Sequence, residues 1–425
     1  MKTRKSLMTL AFAAVVAAVM TACTVNSDNP TPAQANLPTK FELTGNEVAY
    51  AGRTNEFAFN MFRIMADKYQ QASLVTSPLS VACALGMLNN GAVGQTQQEL
   101  LHVLGLDNAD AQEVNEYFYK LMVLAPQVDN STVLRMANAI YVNGIYSVQS
   151  QFANALNLYY QAEANSLDFA DSQTVNVINE WCAHQTNNMI PKMFSEIPSD
   201  AVSIMLNALY FKGLWQHPFD AKYTQDGDFI TEDGKKMRRP MMCMTSEENE
   251  YYKTTDFQAL RMGYGNGRYS MTILLPSEGL SVSDLARKLT PDTWGKIQDG
   301  LHKPDELFIS VPRFTVETSD KQIEDLSDIL KQMGVVGIFE RDGDLPNVIM
   351  RYSVLVSKVS QKAKIEVNEE GAEGSAVSGL EVLATDNGDD SGGMAAFNAN
   401  RPFVYVISER TTGLVFFIGA YHGEK

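Results

Sequence analysis

The chain is poor in the residues on which most enzyme chemistry rests. Four cysteines and five histidines are spread through 425 residues. No His-Glu-x-x-His helix, Gly-x-Ser-x-Gly elbow or paired-cysteine zinc spacing occurs among them. His102, His217, His302 and His422 are scattered, so no metal site is expected. Cys182 and His184 are close in sequence but diverge on a helix, which argues against a nucleophile and base pair. Positive charge is also scarce: 34 Lys and Arg face 50 Asp and Glu, a net charge of −16. Such a surface repels phosphate backbones and anionic headgroups, and a nucleic-acid partner is not expected. Long apolar runs are missing too. The longest, residues 7–20, is too short to span a bilayer comfortably.

What is present begins with that run. Lys2, Arg4 and Lys5 precede it, small residues follow, and the pattern is that of an export signal. Met20-Thr21-Ala22-Cys23 resembles a bacterial lipoprotein box, which implies cleavage before Cys23 and a diacylglyceryl thioether on its sulfur. Residues 24–44, rich in Asn, Thr, Pro and Ser, read as a flexible spacer. The expected organisation is therefore a lipoprotein signal peptide over 1–22, a lipidated spacer over 23–44 and one domain over 45–425. It implies an exported lipoprotein of the outer membrane, facing the periplasm or the cell surface, that meets the membrane only through its anchor. Cys83, Cys182 and Cys243 are odd in number and lie in apolar or helical stretches, so they read as small buried hydrophobes and not as a disulfide framework.

Phe57, Met61, Phe62, Met65 and Tyr69 recur at helical spacing. Ser77 can cap a second helix with Pro78 at its first position, and Gly91 stands where it would stop. Thr96 and Glu99 read as a capping box opening a helix that ends near Gly105. Further helices are expected over 151–164, 174–187 and 321–333. Residues 202–211 are apolar on both alternating faces, as a doubly covered strand should be, yet include Asn207, a buried amide in need of partners. Residues 306–317 and 352–367 read as strands, and 403–408 with 413–420 as a closing hairpin. No repeat and no domain boundary appears after residue 45. The fold class is α+β.

Between Glu370 and Arg401 about thirty residues lack helical periodicity, far beyond the roughly 4–6 residues of an ordinary connection. Residues 387–396, with their Gly, Asp and Ser, read as disordered. Before them, Ala372, Gly374, Ala376, Ser378, Leu380, Val382 and Ala384 alternate as in a strand and are all small or apolar. A segment of that kind can slide between existing strands without clashing. Fourteen residues at about 3.3 Å each make a strand of roughly 45 Å. One hydrogen bond per residue, at about 0.5–1.5 kcal/mol net, would release on the order of 7–20 kcal/mol on insertion.

Several blocks occur in order across the chain: Thr76-Ser77-Pro78-Leu79-Ser80, then Gly91-Ala92-Val93-Gly94-Gln95-Thr96, then Asn207-Ala208-Leu209-Tyr210-Phe211-Lys212-Gly213-Leu214-Trp215. Glu366-Val367-Asn368-Glu369-Glu370-Gly371 and Arg401-Pro402-Phe403 bracket the long loop. Through these blocks residues 45–425 resemble a serpin. The resemblance implies three β-sheets with eight or nine helices, an exposed reactive-centre loop, a monomer, no cofactor, and inhibition of a serine (or cysteine) protease in place of enzymatic turnover. In the mechanism it implies, the target's serine acylates the loop, and the cut loop inserts into the central sheet before deacylation. Glu369, Glu370 and Gly371 match the start of the family's hinge. Its inserting part falls on Ala372, Glu373, Gly374, Ser375, Ala376, Val377 and Ser378, with Ala372 where threonine is usual and Gly374 where alanine is usual. The family's loop length puts the scissile bond at Thr385-Asp386. Val382, Leu383 and Ala384 before it suit elastase-like or subtilisin-like enzymes, and trypsin-like targets are disfavoured because no Lys or Arg lies between Gly371 and Asn400. Ser77, Ser80 and Asn207 match the polar cluster beneath the opening strands, with Gln361 in place of a common histidine. Arg313 and Glu369 match an ion pair near the insertion point, and Trp215 its neighbouring aromatic. A non-inhibitory serpin, acting as a cell-surface binding module, is the competing reading.

Overall fold

The computed structural model describes residues 38, 40–340, 344–371 and 395–423. Lys40–Lys425 forms one compact unit; Met1–Thr39 separates as another and, apart from Pro38, lies outside the described residues. Cys23, Ala372, Glu373, Gly374, Ser375, Ala376, Val377, Ser378, Thr385 and Asp386 also lie outside them.

Nine α-helices occur among the described residues, and the first is α1 (Asn46–Lys68), whose Phe57, Met61, Phe62 and Met65 are buried. It leads through β1 (Leu74–Thr76) to α2 (Pro78–Asn89), which is buried all round and starts as expected, with the Ser77 hydroxyl accepting from the Ser80 N–H at 3.3 Å. α3 (Gly94–Leu104) stops at a left-handed Gly105 but does not begin at Thr96. The anticipated capping box is absent because both side chains are used at long range. Glu99 Oε2 accepts from the N–H groups of Val336 and Gly337 at 3.0 and 2.8 Å, and Thr96 Oγ1 from that of Asp344 at 3.2 Å. Real capping boxes sit instead at Asp110 with Glu113, Ser281 with Asp284, and Ser319 with Gln322.

Three main sheets and a small one organise the rest. The largest has six strands, among them β15 (Phe403–Glu409) and, between it and edge strand β1, β16 (Val415–Tyr421), both buried throughout and forming the expected closing hairpin. A second sheet joins β14 (Ala395–Asn398), β10 (Leu307–Pro312), β6 (Lys236–Ser246) and β5 (Gln225–Ile230). The third runs β12 (Lys358–Lys362), β4 (Ser203–Gly213), β2 (Thr132–Asn143), β3 (Glu163–Leu167). The small one pairs β11 (Phe314–Glu317) with β13 (Lys364–Val367). Residues 306–317 and 352–367 are thus not single strands. The first breaks at Arg313 and changes sheet, while the second breaks at Ala363, whose N–H donates to Thr318 Oγ1 at 3.0 Å. Alternation alone cannot reveal such a change of partner, because its period is the same in both sheets. Two further helices flank the third sheet's strands: α6 (Thr174–Gln185) lies between β3 and β4 in the chain, and α9 (Asp320–Gln332) packs on β12.

Cys83, Cys182 and Cys243 are free thiols; the first two are buried, Cys243 only half so. Among the described residues no helix is long and apolar enough to cross a membrane, and no group of three or more His, Cys, Asp or Glu is placed to hold a metal ion.

Candidate functional site

β4 and β12 run parallel and share a seam, registered from Lys358 beside Ile204 to Lys362 beside Ala208. Beyond that point β4 continues through residues 209–213 and the other chain through β13, yet among the described residues the pairing between them stops, while their outer sides form ladders with β2 and β11. The seam is closed at one end and open at the other.

A row of three amides crosses the closed part. The register sets Asn207 of β4 opposite both Asn138 of β2 and Gln361 of β12. All three are buried, so each polar atom needs a partner. Asn207 Nδ2 donates to Asn138 Oδ1 at 2.5 Å, to the Ser80 carbonyl at 3.1 Å and to Ser80 Oγ. Gln361 Nε2 donates to Asn207 Oδ1 at 2.9 Å and to the Ser77 carbonyl at 2.8 Å, while its Oε1 accepts from Thr76 Oγ1 at 2.7 Å and from the Ser77 N–H at 3.0 Å. Ser77, Ser80, Asn207 and Gln361 thus come together. Asn138 and Thr76 complete the cluster and were missed. The available signal for Asn138 was an amide flanked by Met136, Ala137, Ala139 and Ile140, in a strand that also carries Arg135 and Asn143.

A second cluster sits beyond the open end. Arg313 Nε donates to Glu369 Oε2 at 3.1 Å, its Nη2 to Oε1, and Thr224 Oγ1 to Oε1 at 2.6 Å. Burial pushes the Glu369 carboxyl up, but these hydrogen bonds outweigh it and hold the group below its ordinary value. Trp215 stacks on Tyr264 with ring centroids 4.4 Å apart, and its Nε1 donates to the Asn368 carbonyl at 2.9 Å. Its backbone N–H donates to Glu370 O at 2.9 Å, and that of Phe219 to Glu369 O at 2.8 Å. The chain then reaches Gly371, bridged to Leu214, with φ +112°. A Cβ there would lie 2.3 Å from the Gly213 carbonyl oxygen, so only glycine fits. Arg313, Trp215, Glu369, Glu370 and Gly371 therefore converge where the open seam begins, and Thr224 is the partner the sequence did not disclose.

The arrangement consists of a partly open sheet, a hydrogen-bonded lock within it, and a chain pinned at its mouth. A family model described as Serpin (serine protease inhibitor) matches residues 52–422. Neuroserpin of Mus musculus is 30% identical over 381 residues, spanning 86% of this chain and 89% of its own length. Serpin A3-8 of Bos taurus is 28% identical over 397 residues, 92% of each chain. Among solved structures, the thermophilic serpin tengpin in its native state aligns with a TM-score of 0.79 at 24% identity, over 92% of this chain and 97% of its own. Human thyroxine-binding globulin, complexed with thyroxine, aligns with the same score at 23% identity, over 89% and 100%. These last two are likenesses of fold. The chain belongs to the serpin family. Membership carries protease inhibition as the general activity, and a protease as the general class of partner.

Proposed function

We propose that the protein is a single-turnover inhibitor of serine proteases with elastase-like or subtilisin-like preference, with cysteine proteases as a further target class. The observation that carries this reading is the half-open seam: among the described residues the pairing of β4 with β12 ends at Ala208 and Lys362, and the stretches beyond adjoin the point where Gly371 hands the chain on to the small residues of 372–378. The protease attacks the Thr385-Asp386 bond, and its serine is acylated by the carbonyl of Thr385. The freed segment from Ala372 onward then enters between β4 and β12, and the resulting hydrogen bonds drive the acyl-enzyme out of its working geometry. Glu369, Glu370 and Gly371 act as the fixed end of the hinge, with Arg313 and Trp215 holding the mouth. Ser77, Ser80, Asn207 and Gln361 form the lock that must yield.

The same reading makes the protein a monomer, exported and lipidated on Cys23. Its anchor lies in the outer membrane, and residues 24–44 are the tether that frees the domain to reach a protease on the periplasmic or outer side. Ala372 and Gly374, the two departures from the usual hinge, favour a second reading, in which the loop is cut without trapping and the fold serves as a binding module.

Mixing the purified protein with a panel of elastase-like, subtilisin-like, trypsin-like and cysteine proteases separates the two. The inhibitor reading expects a denaturation-resistant complex and release of residues 386–425 or a fragment within a residue or two of it. Cleavage by every enzyme with no complex would leave the binding module.

A further inference from the structure

The turn joining β5 to β6 meets the end of β16. Arg239 of β6 fixes the junction, its Nε donating to the Gly423 carbonyl at 3.0 Å and to Tyr421 Oη at 3.2 Å. The His422 N–H donates to Ser73 Oγ at 2.9 Å. The turn closes on itself: the Thr231 N–H donates to the Lys235 carbonyl at 3.0 Å and the Lys235 N–H to Thr231 Oγ1 at 3.1 Å. Between these walls lies a pocket of about 180 Å³. Glu232, Asp233 and Lys235 of the turn, Met237 of β6, Gln71 beyond α1 and His422 line it.

His422 stands out among them. Its side chain is only 4% exposed, yet among the described residues neither ring nitrogen makes a hydrogen bond. Buried polar groups ordinarily have partners. Burial lowers its pKa to about 4, so the ring is neutral at physiological pH and offers one nitrogen lone pair. The nearest charged atom is Glu232 Oε2, at 4.0 Å from Nδ1 and beyond hydrogen-bond reach. Glu232 commits its other oxygen, Oε1, to the Val282 N–H at 3.0 Å, at the start of α7 (Val282–Lys288). Burial and the nearby Asp284 carboxylate both work against the Glu232 charge, so a cation set beside it is favoured.

Two acceptors 4.0 Å apart can share one donor atom that lies about 2.8 Å from each. The carboxylates of Glu232 and Asp233 select a positive donor. A metal ion would need further ligands, and among the described residues no group of three His, Cys, Asp or Glu is placed to supply them. An ammonium needs acceptors alone. Met237 offers an apolar wall to whatever carries it.

We propose that this pocket binds a short primary alkylamine, its ammonium donating to Glu232 Oε2 and His422 Nδ1 and its stem lying against Met237. The site shares no residue with the seam or its mouth, so the proposal stands apart from the inhibitor reading. Lys235, exposed and positively charged, lines the same pocket and opposes the ligand by repulsion.

The test titrates the full protein with n-butylamine at pH about 7.5, where the amine is charged and His422 is neutral. Binding is followed by the NMR signals of the His422 ring, identified by their loss in His422→Gln. A dissociation constant on the order of 1 mM is expected. Glu232→Gln should weaken binding at least tenfold. Lys235→Met, at an exposed position, should strengthen it about threefold, a gain that general loosening of the fold would not give. 1-Butanol, which keeps the stem, and butyltrimethylammonium, which keeps the charge without an N–H, should leave the His422 signals in place. Unmoved signals with butylamine, equal shifts with all three probes, or wild-type affinity in both Glu232→Gln and Lys235→Met would overturn the proposal.

Discussion

Gln361 and Asn207 face each other across two parallel strands, joined by a 2.9 Å hydrogen bond from Nε2 to Oδ1 in an interior that water does not reach. Gln361 is saturated there, with two donors and two accepted hydrogens, so the lock depends on the amide as a unit. Gln361→Leu keeps the volume roughly constant but strands Asn207 Oδ1, the Ser77 N–H and the Thr76 hydroxyl, while the Ser77 carbonyl keeps the Val81 N–H. A loss of roughly 3–5 kcal/mol is expected. It is read as a lower denaturant midpoint, together with earlier spontaneous opening of the sheet in hydrogen exchange at residues 204–208.

Gly371→Ala forces a methyl group to within 2.3 Å of the Gly213 carbonyl oxygen, on a backbone at φ +112°. The cost is expected to be roughly 1–3 kcal/mol. It should appear as detachment of the 213–215 to 368–371 contacts, seen as increased exposure of Trp215 by fluorescence. An unchanged spectrum and midpoint would contradict the close packing at this mouth.

His422 supplies a pH dependence of stability. Its ring is buried, burial lowers its pKa to about 4 from an ordinary 6.5, and its Nδ1 is 4.0 Å from Glu232. The folded state resists taking a proton that the unfolded state accepts, so stability is full above pH 6.5 and declines as pH falls from there toward 4. The decline attributable to this residue is about 2–3 kcal/mol at pH 4.5. His422→Gln should flatten that part of the profile in urea titrations at pH 7.5 and 4.5, whereas a parallel decline in both proteins would assign the loss elsewhere.

Ala376→Arg tests the insertion segment apart from the sheet. A long charged side chain cannot enter between packed strands, so the variant is expected to be cleaved at the Thr385-Asp386 bond and to release an active protease. The stoichiometry of inhibition should rise at least tenfold while the rate of first cleavage stays near wild type. Full trapping by this variant would show that the segment from Ala372 does not insert.

Much of this molecule was legible locally. The Ser77 and Pro78 start of α2, the end of α3 at Gly105 and the final hairpin follow from caps, punctuation and alternation, which act over a few residues. Asn207 announced itself as a buried amide because its neighbours were apolar on both faces. The capping box at Thr96 and Glu99 failed because residue types that satisfy a local rule served residues more than two hundred positions away.

By itself the sequence determined the fold class, the polar residues that must lie inside, and a long loop of small side chains set between two strands. Tertiary structure alone decided that Asn138 completes the amide row, that Arg313 and Ala363 are where strands change sheets, and that Thr224 shares Glu369 with Arg313. Periodicity fixes which face a side chain occupies, whereas its partner is set by how segments far apart in the chain meet, by register within the packed sheets and by the placement of the loops at their ends.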